Sequence, residues 1–396
     1  MFRRVYLDNS ATTPIDPEVV EAMLPFLTEK YGNASSIHFF GQEARGAVDK
    51  ARHQVADLIG AKPNQIVFTS GGTESNNLAI RGLCEMNEIH GKHIVTSQIE
   101  HPAVTNVCEA LEKIGFEVTY LPVYEDGIVR IEDVKNAVRE DTVLISIMVA
   151  NNEIGTLQPV KEIGALVRKR RENGDKIWFH TDAVQAAGKI PVDVSQIGCD
   201  LLSISGHKIH APKGVGALFI GRGVRLKPQN LGGHQEREKR GGTENVPTIV
   251  ALGKACELAK DNLKSNHEHL LSLREAFENG VTTSIPGSLL NGKPNERLPN
   301  ISNVTFKYVE GEGVLINLDM QGVAVSTGSA CSSGSLEPSP IIMALGQAEE
   351  LARGAVRFSF GKENTMEDIE YVLGILEKAV ENLRKLSPHY NQTTTV

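Results

Sequence analysis

Lys208 stands in Ser205-Gly206-His207-Lys208-Ile209-His210-Ala211-Pro212-Lys213-Gly214, directly after the apolar run Leu201-Leu202-Ser203-Ile204. A lysine at the end of a buried strand, among small and polar residues, is poorly placed as a solvated charge. It is well placed for Schiff-base chemistry, because desolvation lowers an amine's pKa and frees its lone pair. A second strand, Lys176-Ile177-Trp178-Phe179-His180-Thr181-Asp182, ends in a carboxylate. A Schiff-base lysine with an aspartate for a pyridinium nitrogen is the pairing that pyridoxal 5′-phosphate (PLP) requires.

The neighbouring motifs extend that chemistry. Phe68-Thr69-Ser70-Gly71-Gly72-Thr73-Glu74-Ser75 runs from a strand through two glycines into a helix. Glycines let the backbone approach an anion, and the helix start offers free N–H groups at a positive dipole end. A phosphate suits Gly72 and Thr73, although strand-Gly-Gly-helix is also a common plain turn. Neither G-K-[ST] nor G-x-G-x-x-G is present, so nucleotide-loop readings fail. His101, in Ile99-Glu100-His101-Pro102, precedes a helix; beside PLP its ring can stack on the pyridine and its pKa suits proton transfer. Asn152 and Gln185 have amides that could reach the cofactor's phenolic oxygen, with turn or cap amides as the competing reading. Ser205 and His207 fall within reach of the phosphate if Lys208 is the anchor, whereas His180 reads as a packed strand histidine.

Two further residues stand out. Cys331 lies in Val325-Ser326-Thr327-Gly328-Ser329-Ala330-Cys331-Ser332-Ser333-Gly334-Ser335, which predicts an exposed, mobile loop. A thiol on such an arm can be a nucleophile that travels; an incidental loop cysteine is the alternative. Cys84, Cys108, Cys199 and Cys256 sit in apolar patterns and read as inert core. Arg357 lies within the apolar strand Ala355-Val356-Arg357-Phe358-Ser359-Phe360. A buried guanidinium needs an anion, either a substrate α-carboxylate or a structural Asp or Glu.

The elements that must hold these residues alternate. Helical periodicity marks 17–28, 44–59, 74–87, 103–114, 160–172, 246–267 and 366–386. Between them lie β-branched runs at 65–69, 92–97, 117–121, 142–149, 176–181, 201–205 and 216–220. This pattern predicts an α/β fold with a mostly parallel seven-stranded sheet, helices on both faces, and a ligand site at the strands' carboxyl ends. Thr73, Asn152, Asp182, Ser205 and Lys208 each follow a strand. Beyond about residue 265 the texture changes, and 300–306, 313–320 and 355–360 read as strands of a smaller α+β unit. The expected division is a large cofactor-binding domain, 16–262, and a small domain, 1–15 with 263–396.

Composition bounds the rest. The chain has 396 residues, 40% hydrophobic and 23% charged, enough for one large core and a second unit. A formal net charge of −8 gives a nucleic-acid role little support. Five scattered cysteines without a C-x-x-C pair indicate neither a disulfide framework nor a zinc site. No apolar run reaches membrane-spanning length and the first residues lack a signal-type apolar stretch, so a cytoplasmic protein with no membrane partner is expected.

Taken together the motifs resemble the NifS/IscS cysteine desulfurases, PLP enzymes of the fold-type I, class V aminotransferase group. The resemblance runs end to end: Tyr6-Leu7-Asp8-Asn9-Ser10-Ala11-Thr12-Thr13-Pro14, Tyr31-Gly32-Asn33-Ala34-Ser35-Ser36-Ile37-His38, Thr73-Glu74-Ser75-Asn76-Asn77, Glu100-His101, Asn152-Glu153-Ile154-Gly155, His180-Thr181-Asp182-Ala183-Val184-Gln185, Ser205-Gly206-His207-Lys208 and Ser329-Ala330-Cys331. Gly232-Gly233-His234-Gln235-Glu236-Arg237 and Gly242-Thr243-Glu244-Asn245 look closer to the NifS branch, and His210 stands where many relatives carry an aromatic.

The resemblance implies roles. Lys208 holds PLP as a Schiff base, Asp182 pairs the pyridinium nitrogen, and His101 stacks on the ring and moves protons. Gly72, Thr73, Ser205 and His207 bind the phosphate, Thr243 reaches the phosphate of a second subunit, and Asn152 and Gln185 contact the ring oxygen. Arg357 with Asn33 holds the substrate carboxylate. The implied reaction turns L-cysteine into L-alanine and keeps the sulfur as a persulfide on Cys331. Delivery to an iron–sulfur scaffold protein or another sulfur acceptor follows, from a homodimer. No resident metal is implied, beyond transient ligation of an iron–sulfur cluster by the persulfide. Another class V reaction, transamination or selenocysteine lysis, needs Lys208 and Asp182 but no travelling thiol. A non-catalytic protein on the same scaffold would show a degraded site, and no position of the set is degraded.

Overall fold

The computed structural model describes residues 3–328, 337–387 and 390. Seven strands form the central sheet in the order Ile66–Thr69, Gly216–Ile220, Leu201–Ser205, Trp178–Asp182, Thr142–Ser146, His93–Ser97, Glu117–Leu121. Gly216–Ile220 runs antiparallel to both its neighbours, and the other four pairings are parallel. Parallel strands need crossovers, which is why helices such as Gly72–Asn87, Pro102–Glu112 and Val160–Glu172 lie between them in the chain. Covered on both faces, strands of this sheet are buried along their whole length and mostly apolar: every residue of Ile66–Thr69, Thr142–Ser146 and Leu201–Ser205 is buried. The parallel strands end together, so Ser97, Ser146, Asp182 and Ser205 share one edge of the sheet.

A three-stranded antiparallel sheet, Ser288–Leu290, Ile301–Phe306 and Ala355–Ser359, lies apart from the first. With Leu263–Ser284 and Met366–Leu386 it encloses a separate apolar core that includes Phe277, Phe306, Phe358 and Leu376. The N-terminal strand Val5–Tyr6 pairs in parallel with Val323–Ala324, and Leu7 is buried in this second core.

Several boundaries differ from expectation for local reasons. The helix expected over 17–28 breaks into Pro17–Met23 and Pro25–Thr28, because Pro25 cannot donate to the turn before it. The long C-terminal helix of the large unit ends at Asp261, and a new one starts at Leu263. Thr142–Ser146 stops short of Val149 because the amide of Met148 turns to the carboxyl of Glu100 (2.9 Å). The expected strand 313–320 is instead the helix Gly311–Asp319; it buries Val314 and Leu318, four apart, and leaves Ile316 half exposed. The helix Ile131–Ala137 was not foreseen.

Candidate active site

A cavity of about 380 Å³ opens at the carboxyl edge of the large sheet. Its walls include Gly72, Thr73, His101, Asn152, Asp182, Gln185, Ser205, His207, Lys208 and Arg357, so ten of the residues singled out in the sequence meet in one place.

At one end the strand Ile66–Thr69 turns through Gly71 into the helix that starts at Gly72. A Cβ at Gly72 would stand 2.9 Å from Val184 Cγ2, and one at Gly216 would stand 2.7 Å from the Gly71 Cα. Only glycines let three backbone segments come this close and leave the helix N-terminus open to an anion. Ser205 Cβ lies 3.5 Å from a Cβ built on Gly72, and His207 also lines the cavity. His207 Nδ1 contacts Thr12 Oγ1 (3.2 Å), and burial, reinforced by the charge of Lys208, depresses its pKa to about 4. It is therefore a neutral hydrogen-bonding group near pH 7.

At the other end Asp182 accepts from Asn76 Nδ2 (2.6 Å) and from the Val184 amide (2.9 Å). Asn76 lies one turn along the helix from Gly72, so one element serves both ends of the cavity. His101 caps the helix Pro102–Glu112, its Nδ1 accepting from the Ala103 amide (3.0 Å). Burial lowers its pKa; the charge of Lys208 acts the same way and Asp182 opposes both. Beneath it Glu100 is buried, accepts from Ser97 Oγ and the Met148 amide (both 2.9 Å), and is pushed up to about 8 by desolvation.

Lys208 Nζ donates to the carbonyl oxygens of Ser10 and of Ala11, the latter at 2.7 Å. Lys189 Nζ donates to the Lys208 carbonyl (3.0 Å); burial first, then the Lys208 charge, depresses the Lys189 pKa to about 7. Arg357 donates through one Nη to the Asn152 carbonyl (2.9 Å) and through the other to Asp8 Oδ1 (2.8 Å). The structural acid that competed with a substrate carboxylate thus exists, and Arg357 still borders the cavity.

His180 is the packed strand histidine expected. Its ring nitrogens meet Ser146 Oγ (2.8 Å) and Ser203 Oγ (3.1 Å), and burial depresses its pKa to about 3. Cys84, Cys108, Cys199 and Cys256 are buried, and burial raises each thiol's pKa, for Cys108 to about 12. Asn33 and Thr243 are exposed and do not line the cavity. They share one neighbourhood: Arg45 donates to the Ala34 carbonyl (3.1 Å) and to Glu244 Oε1 (2.9 Å). Cys331 lies outside the described residues.

Asp8, Ser10 and Asn76 also face the cavity, with no role foreseen for them. The four-residue step from Gly72 to Asn76 was a readable signal; the N-terminal pair carries none, since its partners are more than 170 residues away.

Five buried side-chain atoms on the cavity walls have no hydrogen-bond partner among the described residues: Ser10 Oγ, Asn76 Oδ1, Asn152 Oδ1, Gln185 Oε1 and Arg357 Nε. Buried polar groups are normally satisfied, so this concentration calls for a polar guest. An open helix N-terminus at one end and a hydrogen-bonded carboxylate at the other, with a lysine between strand and loop, fit PLP.

The chain matches the family model for class-V aminotransferases over residues 5–372. It is 53% identical over 389 residues to "Cysteine desulfurase IscS" of Dictyoglomus turgidum, covering 98% of both chains. It is 52% identical to the protein of the same name from Methanosarcina thermophila, covering 98% of this chain and 94% of that one. Among solved structures, a "NIFS-LIKE PROTEIN" superposes with a TM-score of 0.90 at 39% identity, covering 96% of this chain and all of the other. "SspA in complex with cysteine" superposes with a TM-score of 0.79 at 37% identity, covering 90% and 98%. The cavity's chemistry and these likenesses coincide: the chain belongs to the class-V aminotransferase family and, within it, to the PLP-dependent cysteine desulfurases.

Proposed function

We propose that the protein converts L-cysteine to L-alanine and retains the sulfur on Cys331 for delivery to an acceptor. The observation that carries this reading is the joint placement of Lys208 and Asp182 on a cavity whose walls hold five unsatisfied buried polar atoms. PLP, when bound, supplies an electron sink for charge developing at the substrate Cα. Gly72, Thr73, Ser205 and His207 would hold its phosphate, Asp182 its ring nitrogen, Asn152 and Gln185 its ring oxygen, and His101 its face.

Lys208 serves as the attachment point and then as the base that takes the Cα proton; the carbonyls of Ser10 and Ala11 orient its nitrogen. Arg357, already fixed by Asp8, directs the remaining donor capacity of its fork toward the substrate carboxylate. The Cys331 thiolate attacks the substrate sulfur. The carbon–sulfur bond breaks with its electron pair left on carbon, a proton added at Cβ and the proton returned to Cα complete alanine, and the sulfur stays as a Cys331 persulfide. His101, kept largely neutral by burial, exchanges the protons. Borohydride reduction of the holoenzyme followed by peptide mapping is expected to place the pyridoxyl label on Lys208. A label on Lys189 or Lys213 instead would remove the basis of the reading.

The domain division at 16–262 against 1–15 with 263–396 is supported by a distinct apolar core around the small sheet that takes in Val5 and Leu7, while two other clusters pack on the large sheet, one of them also taking in Leu298, Ile301 and Ala355. The exposed positions of Asn33 and Thr243 support a homodimer in which each chain completes its partner's site. Tyr31, Ile37 and Phe39 beside them are 71%, 92% and 72% exposed, an apolar cluster that a second copy would cover. Phe39→Asp is expected to shift sedimentation velocity from dimer to monomer and to weaken PLP retention; an unchanged dimer would refute this interface. The acceptor we infer is an iron–sulfur scaffold or another thiol-bearing carrier. Among the described residues no helix is long and apolar enough to cross a membrane.

A further inference from the structure

Glu153 does not line the cavity, yet it is buried and lies next to Asn152, which does. Its backbone is fixed on both sides: its amide donates to Asn151 Oδ1 (2.8 Å) and its carbonyl accepts from Asn303 Nδ2 (3.3 Å). Burial raises the pKa of its carboxyl, while the Ser339 hydroxyl and the charge of Arg357 pull the other way. A carboxyl in such a place costs free energy unless its oxygens are used.

Glu153 Oε2 accepts from Ser339 Oγ at 2.6 Å. Ser339 is itself fixed, because its Oγ caps the helix Pro340–Ala344 and accepts from the amides of Ile341 and Ile342 (3.2 and 3.4 Å). The same carboxyl oxygen lies against Gly328. A Cβ built on Gly328 would collide with Glu153 Oε2 and stand 2.6 Å from Ser339 Cβ and 2.8 Å from Ser339 Oγ. Two residues upstream, Ser326 and Arg357 exchange backbone hydrogen bonds (3.1 and 2.7 Å), which ties this strand to the substrate-facing arginine. One buried carboxyl oxygen therefore packs against the chain just before residues 329–336 and accepts a hydrogen bond from the chain just after them, and Cys331 lies between in sequence.

We propose that Glu153 is a positioning residue for the sulfur-transfer half of the reaction: its carboxyl packs against Gly328 while it holds Ser339, and so keeps together the two ends from which Cys331 is presented. This rests on the Cys331 persulfide reading. The physical reason is effective concentration. A thiol on a segment with anchored ends meets the substrate sulfur far more often than one whose stems can part, and a 1 Å misplacement can cost about 10²-fold in rate. Glu153 touches neither substrate nor cofactor, so the steps that need only Lys208 and Asp182 are indifferent to it.

The test uses PLP-loaded enzyme and L-cysteine carrying radiolabelled sulfur, with single-turnover transfer of label to Cys331 as the primary readout. Glu153→Ala is expected to slow transfer on the order of 10- to 100-fold. Glu153→Gln, which keeps an acceptor for Ser339, is expected to stay within about threefold of the wild type. Gly328→Ala forces the carboxyl away from Ser339 by a different route and is expected to slow transfer as Glu153→Ala does, which keeps the proposal testable if that variant folds poorly. In each variant the change in cofactor absorbance on adding L-cysteine, and turnover of selenocysteine, are expected to match the wild type. Wild-type transfer in Glu153→Ala or in Gly328→Ala would overturn the proposal, as would a loss that falls equally on selenocysteine turnover. Absence of label on Cys331 in the unmutated enzyme would instead overturn the persulfide reading on which it rests.

Discussion

Cys331→Ala holoenzyme is expected to release no alanine above background from L-cysteine, a loss on the order of 10³-fold or more, while PLP stays bound. Among the described residues that line the cavity there is no thiol: Cys84, Cys108, Cys199 and Cys256 are buried, with pKa values raised by desolvation, and none lines it. A thiolate is the nucleophile, so a cysteine kept protonated in apolar surroundings cannot substitute for Cys331. Selenocysteine turnover should survive the substitution, because that cleavage needs Lys208 and Asp182 but no sulfur acceptor. Alanine release and cofactor absorbance measured on one preparation decide the matter; undiminished turnover of L-cysteine would reject the desulfurase mechanism proposed here.

Asp182→Asn is the second large expected effect. The carboxylate is held by Asn76 Nδ2 and the Val184 amide, both donors, so its geometry is fixed for an anion. An amide of the same shape preserves packing and removes the charge that keeps a facing pyridinium protonated. Loss of one preorganised electrostatic partner typically lowers turnover about 10²- to 10³-fold. Borohydride should still label Lys208, because attachment does not depend on the ring nitrogen. Wild-type turnover in Asp182→Asn would show that the ring nitrogen does not pair with this carboxylate.

Much of this was legible because buried parallel strands announce themselves. Runs such as Leu201–Ser205 are buried throughout and mostly apolar, and the polar residue that closes such a run falls at the sheet edge where a ligand sits. Asp182, Ser205 and Lys208 were therefore placed by reading where hydrophobicity stops. The same cue misled at Gly311–Asp319, where Val314, Leu315, Ile316 and Leu318 crowd a short segment and mimic a strand; only packing of Val314 and Leu318 on one face decides for a helix. Contacts between distant residues left no trace in local pattern. Asn76 with Asp182, Ser10 with Gln185, and Asp8 with Arg357 are each brought together by topology alone. Glu153 belongs with these: its partners at 328 and 339 are far along the chain, and a lone acidic residue in a turn reads as a surface charge.

The N-terminal segment has a consequence for biosynthesis. Val5 and Tyr6 pair with Val323 and Ala324, Asn9 bonds to the Ser359 carbonyl, and Ser10 and Ala11 supply the acceptors for the Lys208 nitrogen. Residues 5–9 thus find these partners only after residue 359 has been translated. A nascent or prematurely terminated chain cannot close the chamber around its vitamin, however well its central sheet has folded. Topology makes loading with coenzyme a checkpoint of synthesis past residue 359, and replacing residues 5–11 would damage the chemistry before it damaged the fold.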